Sequence, residues 1–299
     1  MSAIAKALSL RYPPLALYYA AAAPSGAASF RSIKEDHDAQ PNKGGWGCAL
    51  SLLPKALAGA TIAFSRNTCH CPGSLGGLGL GRLEDTNFPG GREAFLRFLS
   101  NGNKHWEQGK ATAEEMRRAG ASADKLEEYL EGEGFKKSPE LVLEYCKRSP
   151  RLEPRDSHVL IRPLTDLDGG SAAKQSSSNA SDPGKANAPD VVIMLADVHQ
   201  LSALTNLANY GRPGSDNVII PFASGCQSIG LYPLHEGTQE QPRAVVGLID
   251  IAARLYLRKL LGRELISFAI PWKLYVEMES NVEESFLTRR AWKTLDGEV

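Results

Sequence analysis

The chain has 299 residues, of which 42% are hydrophobic and 23% are charged, a composition typical of a globular protein. Lysine and arginine together number 34, as do aspartate and glutamate, so the formal net charge at pH 7 is zero. Without a basic excess, we expect no binding to nucleic acid or to an anionic membrane surface.

Targeting signals and cysteine usage indicate the compartment. No apolar run reaches the ~18–20 residues of a membrane-spanning helix. The apolar stretch 15–23 precedes a Pro-Ser-Gly sequence and so is similar to a secretory signal, but Pro13 and Pro14 interrupt its start. Five cysteines are an odd number and too few to crosslink a chain of this length. We therefore predict a soluble, cytoplasmic protein whose thiols are free or bound to a metal.

The first half of the chain alternates short apolar runs with helical periodicity. In chain order, the pattern predicts a helix at 2–10, a strand at 15–20, a helix at 49–57, a strand at 61–65, helices at 92–99, 113–118, 124–130 and 139–147, and a strand at 158–162. The charge pattern of 101–137 favours a solvated helical outcrop over a partner-binding face.

The most unusual stretch is 67–82, which reads N-T-C-H-C-P-G-S-L-G-G-L-G-L-G-R. Five glycines occupy the nine positions after the proline. Because each Gly inside a regular element costs ~0.5–1 kcal/mol relative to Ala, we expect a loop here, neither helix nor strand. Its backbone should approach a ligand, a metal centre or another backbone. Gly73, Gly76 and Gly77 are the predicted cofactor-binding residues of this loop.

The second half predicts a regular alternation of strands and helices after a low-complexity loop. That loop covers 166–189, which is rich in Gly, Ser, Ala, Asn and Lys. The predicted strands are 190–195, 218–220, 244–248 and 266–270, and the predicted helices are 199–210, 251–261 and 272–286. The fold class is therefore α+β, a mixed α/β arrangement. It is either one large domain or two related halves, 1–165 and 190–299, packed around the Cys/Gly-rich loop.

Eight stretches, taken in order, resemble one family. They are P-P-L-A-L at 13–17, G-C at 47–48, C-P-G at 71–73, D-V-V-I at 190–193, Q-L at 200–201, A-S-G-C at 223–226, F-A-I-P at 268–271 and N-V-E-E-S-F at 281–286. The resemblance is to the uncharacterised family called domain of unknown function 169. It spans nearly the whole chain apart from the charged and Ser-rich insertions. It implies a bacterial or archaeal type of protein with recurring cysteines, and it carries no reaction to transfer.

Four cysteines are candidate metal ligands, because each lies in or next to a Gly-containing segment: Cys48, Cys69, Cys71 and Cys226. Four thiolates suit an iron–sulfur cluster or a tetrahedral zinc ion. The spacing C-x20-C-x-C-x154-C lacks the C-x2-C pairs of a zinc ribbon, which favours a cluster. Glycine N–H groups near the sulfurs of such a cluster would tune its reduction potential. The alternatives are a zinc ion, and buried or redox-active thiols that hold no ligand.

These residues lead to two hypotheses of function. The first is an iron–sulfur protein with a redox or electron-transfer role and an unknown redox partner, with its catalytic residues unassigned. The second is a non-enzymatic small-molecule-binding or regulatory module with structural or zinc-bound cysteines. Strand alternation predicts that His70 points away from the thiols. Cys146 is predicted to be a small apolar residue of its helix. Nucleotide binding is not favoured, because the glycines lack the P-loop lysine and a helix directly after them.

Overall fold

One mixed sheet organises the protein. The structure, a computed structural model, describes residues 2–30, 47–82, 87–153, 157–165 and 188–297. Within these ranges, seven strands lie in the order β2-β3-β1-β4-β7-β6-β5. In chain order, β1 to β7 are Leu15–Ala20, Ile62–Phe64, His158–Pro163, Val191–Ala196, Val218–Ile219, Ala244–Gly247 and Ile266–Pro271.

Thirteen mostly short α-helices surround this sheet in the described ranges. In chain order, α1 to α13 are Ala3–Ala7, Leu53–Leu57, Pro72–Gly77, Gly91–Phe98, Glu107–Arg118, Ala123–Glu131, Pro139–Arg148, Val198–Tyr210, Tyr232–Glu236, Ile251–Tyr256, Arg258–Leu261, Trp272–Asn281 and Arg290–Leu295. Two 3₁₀ helices, Ala49–Leu52 and Phe286–Thr288, and a π-helix, Gln227–Leu231, complete the set. The predicted α+β class is confirmed. Among the helices of the described ranges, none is long and apolar enough to cross a membrane.

The sheet joins the N-terminal and C-terminal strands through β1. This strand pairs antiparallel with β3 along its whole length, and its other edge pairs antiparallel with β4, with Leu17 opposite Val191. The short pair of β5 and β6 is parallel, whereas the other strand pairs are antiparallel. A single continuous sheet therefore carries side chains from both ends of the chain.

Both faces of the sheet are covered, and β4 shows the alternation. Val191, Ile193 and Leu195 belong to the core on one face, whereas Val192 and Met194 belong to the core on the other. Successive side chains of a strand point to opposite faces, so a strand buried on both faces is apolar throughout. Helices α8 and α12 cover the second face. The thiols Cys69 and Cys226 lie in the core of the first face.

The charged stretch 101–137 has a core of its own. Ala113, Met116, Leu126 and Tyr129 are buried against Phe88 and the helix α4, although the remaining positions of these helices carry charges. The stretch is thus amphipathic, and it is anchored to the body of the protein in addition to presenting a solvated face.

Most predicted elements are present, but several differ, and the predicted helix 272–286 ends at Asn281. Helix α5 begins at Glu107, before the predicted start, and the predicted helix 251–261 breaks at Leu257 into α10 and α11. The sequence prediction missed the segment 227–236, which forms the π-helix and α9, and it missed α13. The predicted loop 166–189 lies outside the described residues apart from its last two positions.

Candidate functional site

The glycine-rich stretch contains the helix α3, so the prediction of a loop is wrong for residues 72–77. Pro72 occupies the first helical position, where its missing N–H costs nothing, and Cys71 precedes it as the N-cap. The glycines allow two backbones to touch. A Cβ on Gly77 would lie 2.8 Å from the Cβ of Cys226, and a Cβ on Gly230 would collide with the Gly77 carbonyl oxygen. Packing against the π-helix therefore offsets the poor helix propensity.

The end of α3 is fixed by a glycine and a tyrosine. Gly79 has a φ of +65°, a conformation that L side chains rarely adopt. The hydroxyl of Tyr19, on β1, donates a 2.7 Å hydrogen bond to the carbonyl of Leu78. Helix α3 is thereby held between the sheet and the π-helix.

A cavity of about 450 Å³ opens beside α3. The backbone of α3 forms one wall through the predicted residues Gly73, Gly76 and Gly77. Apolar side chains from other elements form much of the remainder: Leu50, Phe95, Phe98, Phe135, Leu143 and Leu231. The elements that meet here are distant in sequence, so only the folded chain creates this cavity.

Three of the four predicted cysteine ligands line the cavity, namely Cys48, Cys71 and Cys226. Cys69 does not, because its side chain is buried in the core on the sheet, with 3% of its surface exposed. Cys146, predicted to be only an apolar helix residue, lines the cavity as well. His70 is outside the lining and lies near Phe30, with 6.0 Å between ring centroids.

Each of the three predicted ligands that line the cavity stands at the start of a helical element. Cys48 precedes the 3₁₀ helix Ala49–Leu52, Cys71 precedes α3, and Cys226 precedes the π-helix. Gly225 lies against the first of these elements, since a Cβ there would be 2.5 Å from the Leu50 side chain. The similar Gly-Cys pairs at 47–48 and 225–226 thus belong to two segments that pack together.

A serine connects these segments. The Ser74 hydroxyl oxygen accepts a 3.3 Å hydrogen bond from the Ala49 N–H and lies 3.1 Å from the sulfur of Cys226. Because its oxygen accepts from the amide, its own proton can be donated to that sulfur. The Cys226 thiol is also close enough to Cys48 to raise the pKa of that thiol. Ser74 therefore links α3 both to Cys226 and to the segment that begins after Cys48.

Two of the cavity thiols, Cys48 and Cys71, are protonated at neutral pH. The neighbouring Cys226 thiol, followed by burial, raises the pKa of Cys48 well above its ordinary value. Burial and the Cys48 thiol raise the pKa of Cys71 to about 12, although the N–H groups of Ser74 and Gly73 oppose the shift. Burial likewise raises the pKa of Cys69. Since the thiolate is the nucleophile and the metal ligand, these thiols are inert in this state.

No metal-binding cluster is preformed in the described ranges. They contain no group of three or more His, Cys, Asp or Glu side chains that could hold a metal ion. A metal centre at the cavity thiols would therefore require side chains to move and thiols to lose their protons.

Three carboxyl groups that the sequence analysis missed also line the cavity; one of them, Glu153, is exposed and pairs with Arg82. Asp250 is the N-cap of α10, with Oδ1 accepting a 3.1 Å hydrogen bond from the Ala253 N–H. Its residue is only 4% exposed, and Oδ2 has no hydrogen-bond partner in the described structure. Glu133 is half-buried. Burial, followed by the charges of Glu128 and Asp250, raises the pKa of Glu133 to about 8.

Asp250 and Glu133 differ in how far the sequence could reveal them. Asp250 stands between a predicted strand and a predicted helix, a position at which α/β proteins often place site residues. Glu133 belongs to a charged stretch, where nothing distinguishes it from its solvated neighbours.

A tyrosine holds α7 against the segment that carries Cys226. The Tyr145 hydroxyl donates to the side-chain oxygen of Gln227. The Ser224 N–H donates to the Tyr145 oxygen at 3.1 Å and to Gln227 at 3.2 Å. This network fixes the wall of the cavity between α7 and the π-helix, and it places Cys146 beside the same space.

Comparison with known proteins identifies a family but no characterised relative. The family model of domain of unknown function 169, described as Uncharacterised ArCR, matches residues 3–281. No curated protein and no solved structure gives a significant match to the chain.

Proposed function

We propose that this chain, which belongs to the family called domain of unknown function 169, binds a small organic molecule in the cavity beside α3. One observation carries the proposal. Thiols and carboxyls from separate parts of the chain converge on one largely apolar space: Cys48, Cys71, Cys226, Glu133 and Asp250.

The size and lining of the cavity support this proposal. Small-molecule sites are clefts of roughly 300–1,000 Å³ with mostly apolar walls and a few convergent polar groups. The cavity here has about 450 Å³ and is walled by three phenylalanines, Phe95, Phe98 and Phe135. Groups with strongly shifted pKa values also concentrate at functional sites, and Cys48, Cys71 and Glu133 are three such groups. Together these features favour a binding site over a packing defect.

The glycines of α3 have a defined part in this site. Gly73 and Gly76 present backbone to the cavity, so no side chain of α3 occupies the space at these positions. Gly77 brings the helix onto Cys226, which sets the distance between the helix and the opposite wall. Cys48 and Cys71, being protonated, would contact the ligand as polarisable, weakly polar groups.

An iron–sulfur cluster is the second candidate, favoured by the convergence of three cysteines beside a glycine-rich helix. Cys48, Cys71 and Cys226 would be ligands, with either Cys69 or Cys146 as the fourth. Cluster binding requires thiolates, whereas burial holds the pKa of Cys71 near 12. The loss of these protons would oppose binding, so we place this candidate second.

Anaerobic purification distinguishes the two candidates. We expect a colourless protein without stoichiometric iron, zinc or sulfide, whose mass under non-denaturing conditions exceeds its denatured mass by one small molecule. A brown protein with iron and sulfide would assign the cluster instead. If the two masses agree and no compound in an apolar small-molecule library raises the melting temperature, the binding proposal is refuted.

A cavity-filling variant localises the bound molecule. A Cβ on Gly76 meets nothing within 4 Å, and this residue lines the cavity. Gly76→Trp should therefore place a large side chain in the space and abolish the additional mass. Gly76→Ala is the matched control, and it should keep the bound molecule.

A further inference from the structure

The cavity has an acidic end formed by Asp250 and Glu133. Asp250 is almost fully buried, and its Oδ2 accepts no hydrogen bond in the described structure. Glu133 is half-buried and close enough to Asp250 for the two carboxyls to affect each other electrostatically. Both groups line the cavity. A buried carboxyl oxygen without a donor is rare in folded proteins, because its lost hydration is not replaced.

The neighbouring side chains do not supply the missing donor. The hydroxyl of Tyr145 is already donated to Gln227, and that of Tyr256 is donated to Glu128. The N–H groups of Ala252 and Gly225 are close enough to lower the Asp250 pKa, which burial raises, but they form no hydrogen bond with Oδ2. Oδ2 therefore has no donor among the described residues, and a molecule in the cavity that Asp250 lines can supply one.

Elsewhere the protein does pair a buried carboxylate. Glu236 is 3% exposed, and its two oxygens accept hydrogen bonds from the Arg243 guanidinium at 3.0 and 2.8 Å. This fork satisfies the carboxylate within the chain. The contrast with Asp250 shows that the unpaired oxygen is a property of the cavity and not of buried acids in this fold.

We propose that the acidic end of the cavity receives the protonated amino group of a small organic amine, which donates hydrogen bonds to Asp250 and Glu133. The inference rests on the proposed binding function and specifies its ligand class. The apolar body of the amine would lie against Phe95, Phe98 and Phe135. An ammonium group carries three donors and no acceptor, which matches a buried carboxyl oxygen that lacks a donor, with a second carboxyl beside it.

The cationic side chains of the cavity do not reverse this selectivity. The cationic lining residues Arg82, Arg92, Lys147 and Arg151 are all exposed, so water and salt screen their charges. An anionic group that reached the interior would face the acidic side chain of Asp250 in a poorly hydrated space and would offer no donor to its Oδ2. The groups in the interior of the cavity therefore determine the sign of the charge that a ligand can carry there.

Three probes of similar shape test the inference: 2-phenylethylamine, 2-phenylethanol and phenylacetate. Calorimetric titration should give at least tenfold tighter binding for the amine than for the other two. In Asp250→Asn, amine binding should weaken at least tenfold, while the Asn side chain still caps α10. Asp197→Asn is the matched control, because Asp197 also caps a helix, α8, but lies outside the cavity lining. It should bind the amine like the wild type.

Three results would overturn the inference. The first is equal or tighter binding of 2-phenylethanol or phenylacetate, which leaves the binding function intact but assigns another ligand class. The second is amine binding that Asp250→Asn does not change. The third is no amine binding, in which case the mass measurement on the purified protein decides separately whether the cavity binds any small molecule.

Discussion

The substitution Gly77→Ala isolates the contact that brings α3 onto the π-helix. A Cβ at this position would lie 2.8 Å from the Cys226 Cβ and 2.9 Å from the Gln227 backbone nitrogen. Neither is the flexible end of a side chain, so α3 would have to move. The preceding residue provides the control, because Gly76 belongs to the same helix and its Cβ would meet nothing within 4 Å.

The two variants share one energetic term and differ in the other. Replacing Gly by Ala inside a helix stabilises it by ~0.5–1 kcal/mol, and this gain applies to both variants. Overpacking a well-packed contact costs ~1–3 kcal/mol, and this cost applies only to Gly77→Ala. We therefore expect Gly76→Ala to be slightly more stable than the wild type, and Gly77→Ala to be ~1–3 kcal/mol less stable than Gly76→Ala.

Equilibrium urea unfolding, followed by circular dichroism, measures this difference. A change in midpoint at an unchanged slope reports stability alone. If Gly77→Ala proves as stable as Gly76→Ala, the close contact between α3 and the π-helix is absent, and the explanation of the glycines is refuted.

Two further substitutions probe the cavity lining. Between the ordinary carboxyl pKa of 4.5 and the folded value of about 8, the folded state holds one proton on Glu133 that the unfolded state lacks, so stability should fall as pH rises through this window. Across this pH window, the free energy of unfolding of Glu133→Gln should fall by about 1–3 kcal/mol less than that of the wild type, a figure discounted for partial hydration. Urea unfolding measures both declines, and equal declines in the two proteins would contradict the prediction. Cys146→Ala should keep the bound molecule and cost at most ~1–2 kcal/mol, because Cys146 stands outside the Ser74 network. Loss of the bound molecule in its native mass spectrum would place Cys146 among the binding groups.

Local patterns were sufficient to predict most of the fold. The unbroken apolar run of β4 predicts a strand buried on both faces, and β4 is buried at every position. Asp197 is the N-cap of α8, and Pro139 is the first residue of α7. Both residue types favour helix starts for local reasons, since Asp accepts from a free N–H group and Pro lacks an N–H that would be left unpaired. These signals depend on neighbouring residues only, so one sequence is enough to detect them.

The site depended on contacts that local patterns do not encode. Helix α3 forms because Gly77 packs on Cys226, some 150 positions away, and this packing overrides helix propensity. The prediction that His70 points away from the thiols assumed strand alternation, which would place Cys69 and Cys71 on the same side. Instead, a turn follows β2, with the Thr68 and Cys69 N–H groups both bonded to the Ser65 carbonyl, and the alternation ends there. Cys69 therefore enters the core while Cys71 reaches the cavity.

A crystal of the anaerobically purified protein, soaked in 2-phenylethylamine, would show the contents of the cavity directly. We predict electron density for the amine in the cavity beside α3, with its nitrogen within hydrogen-bond distance of Asp250 Oδ2. Its ring should contact Phe95 or Phe98, and no metal should bridge Cys48, Cys71 and Cys226. A cavity that holds only ordered water at Oδ2, or one in which the thiols ligate an iron–sulfur cluster, would contradict the proposed ligand site.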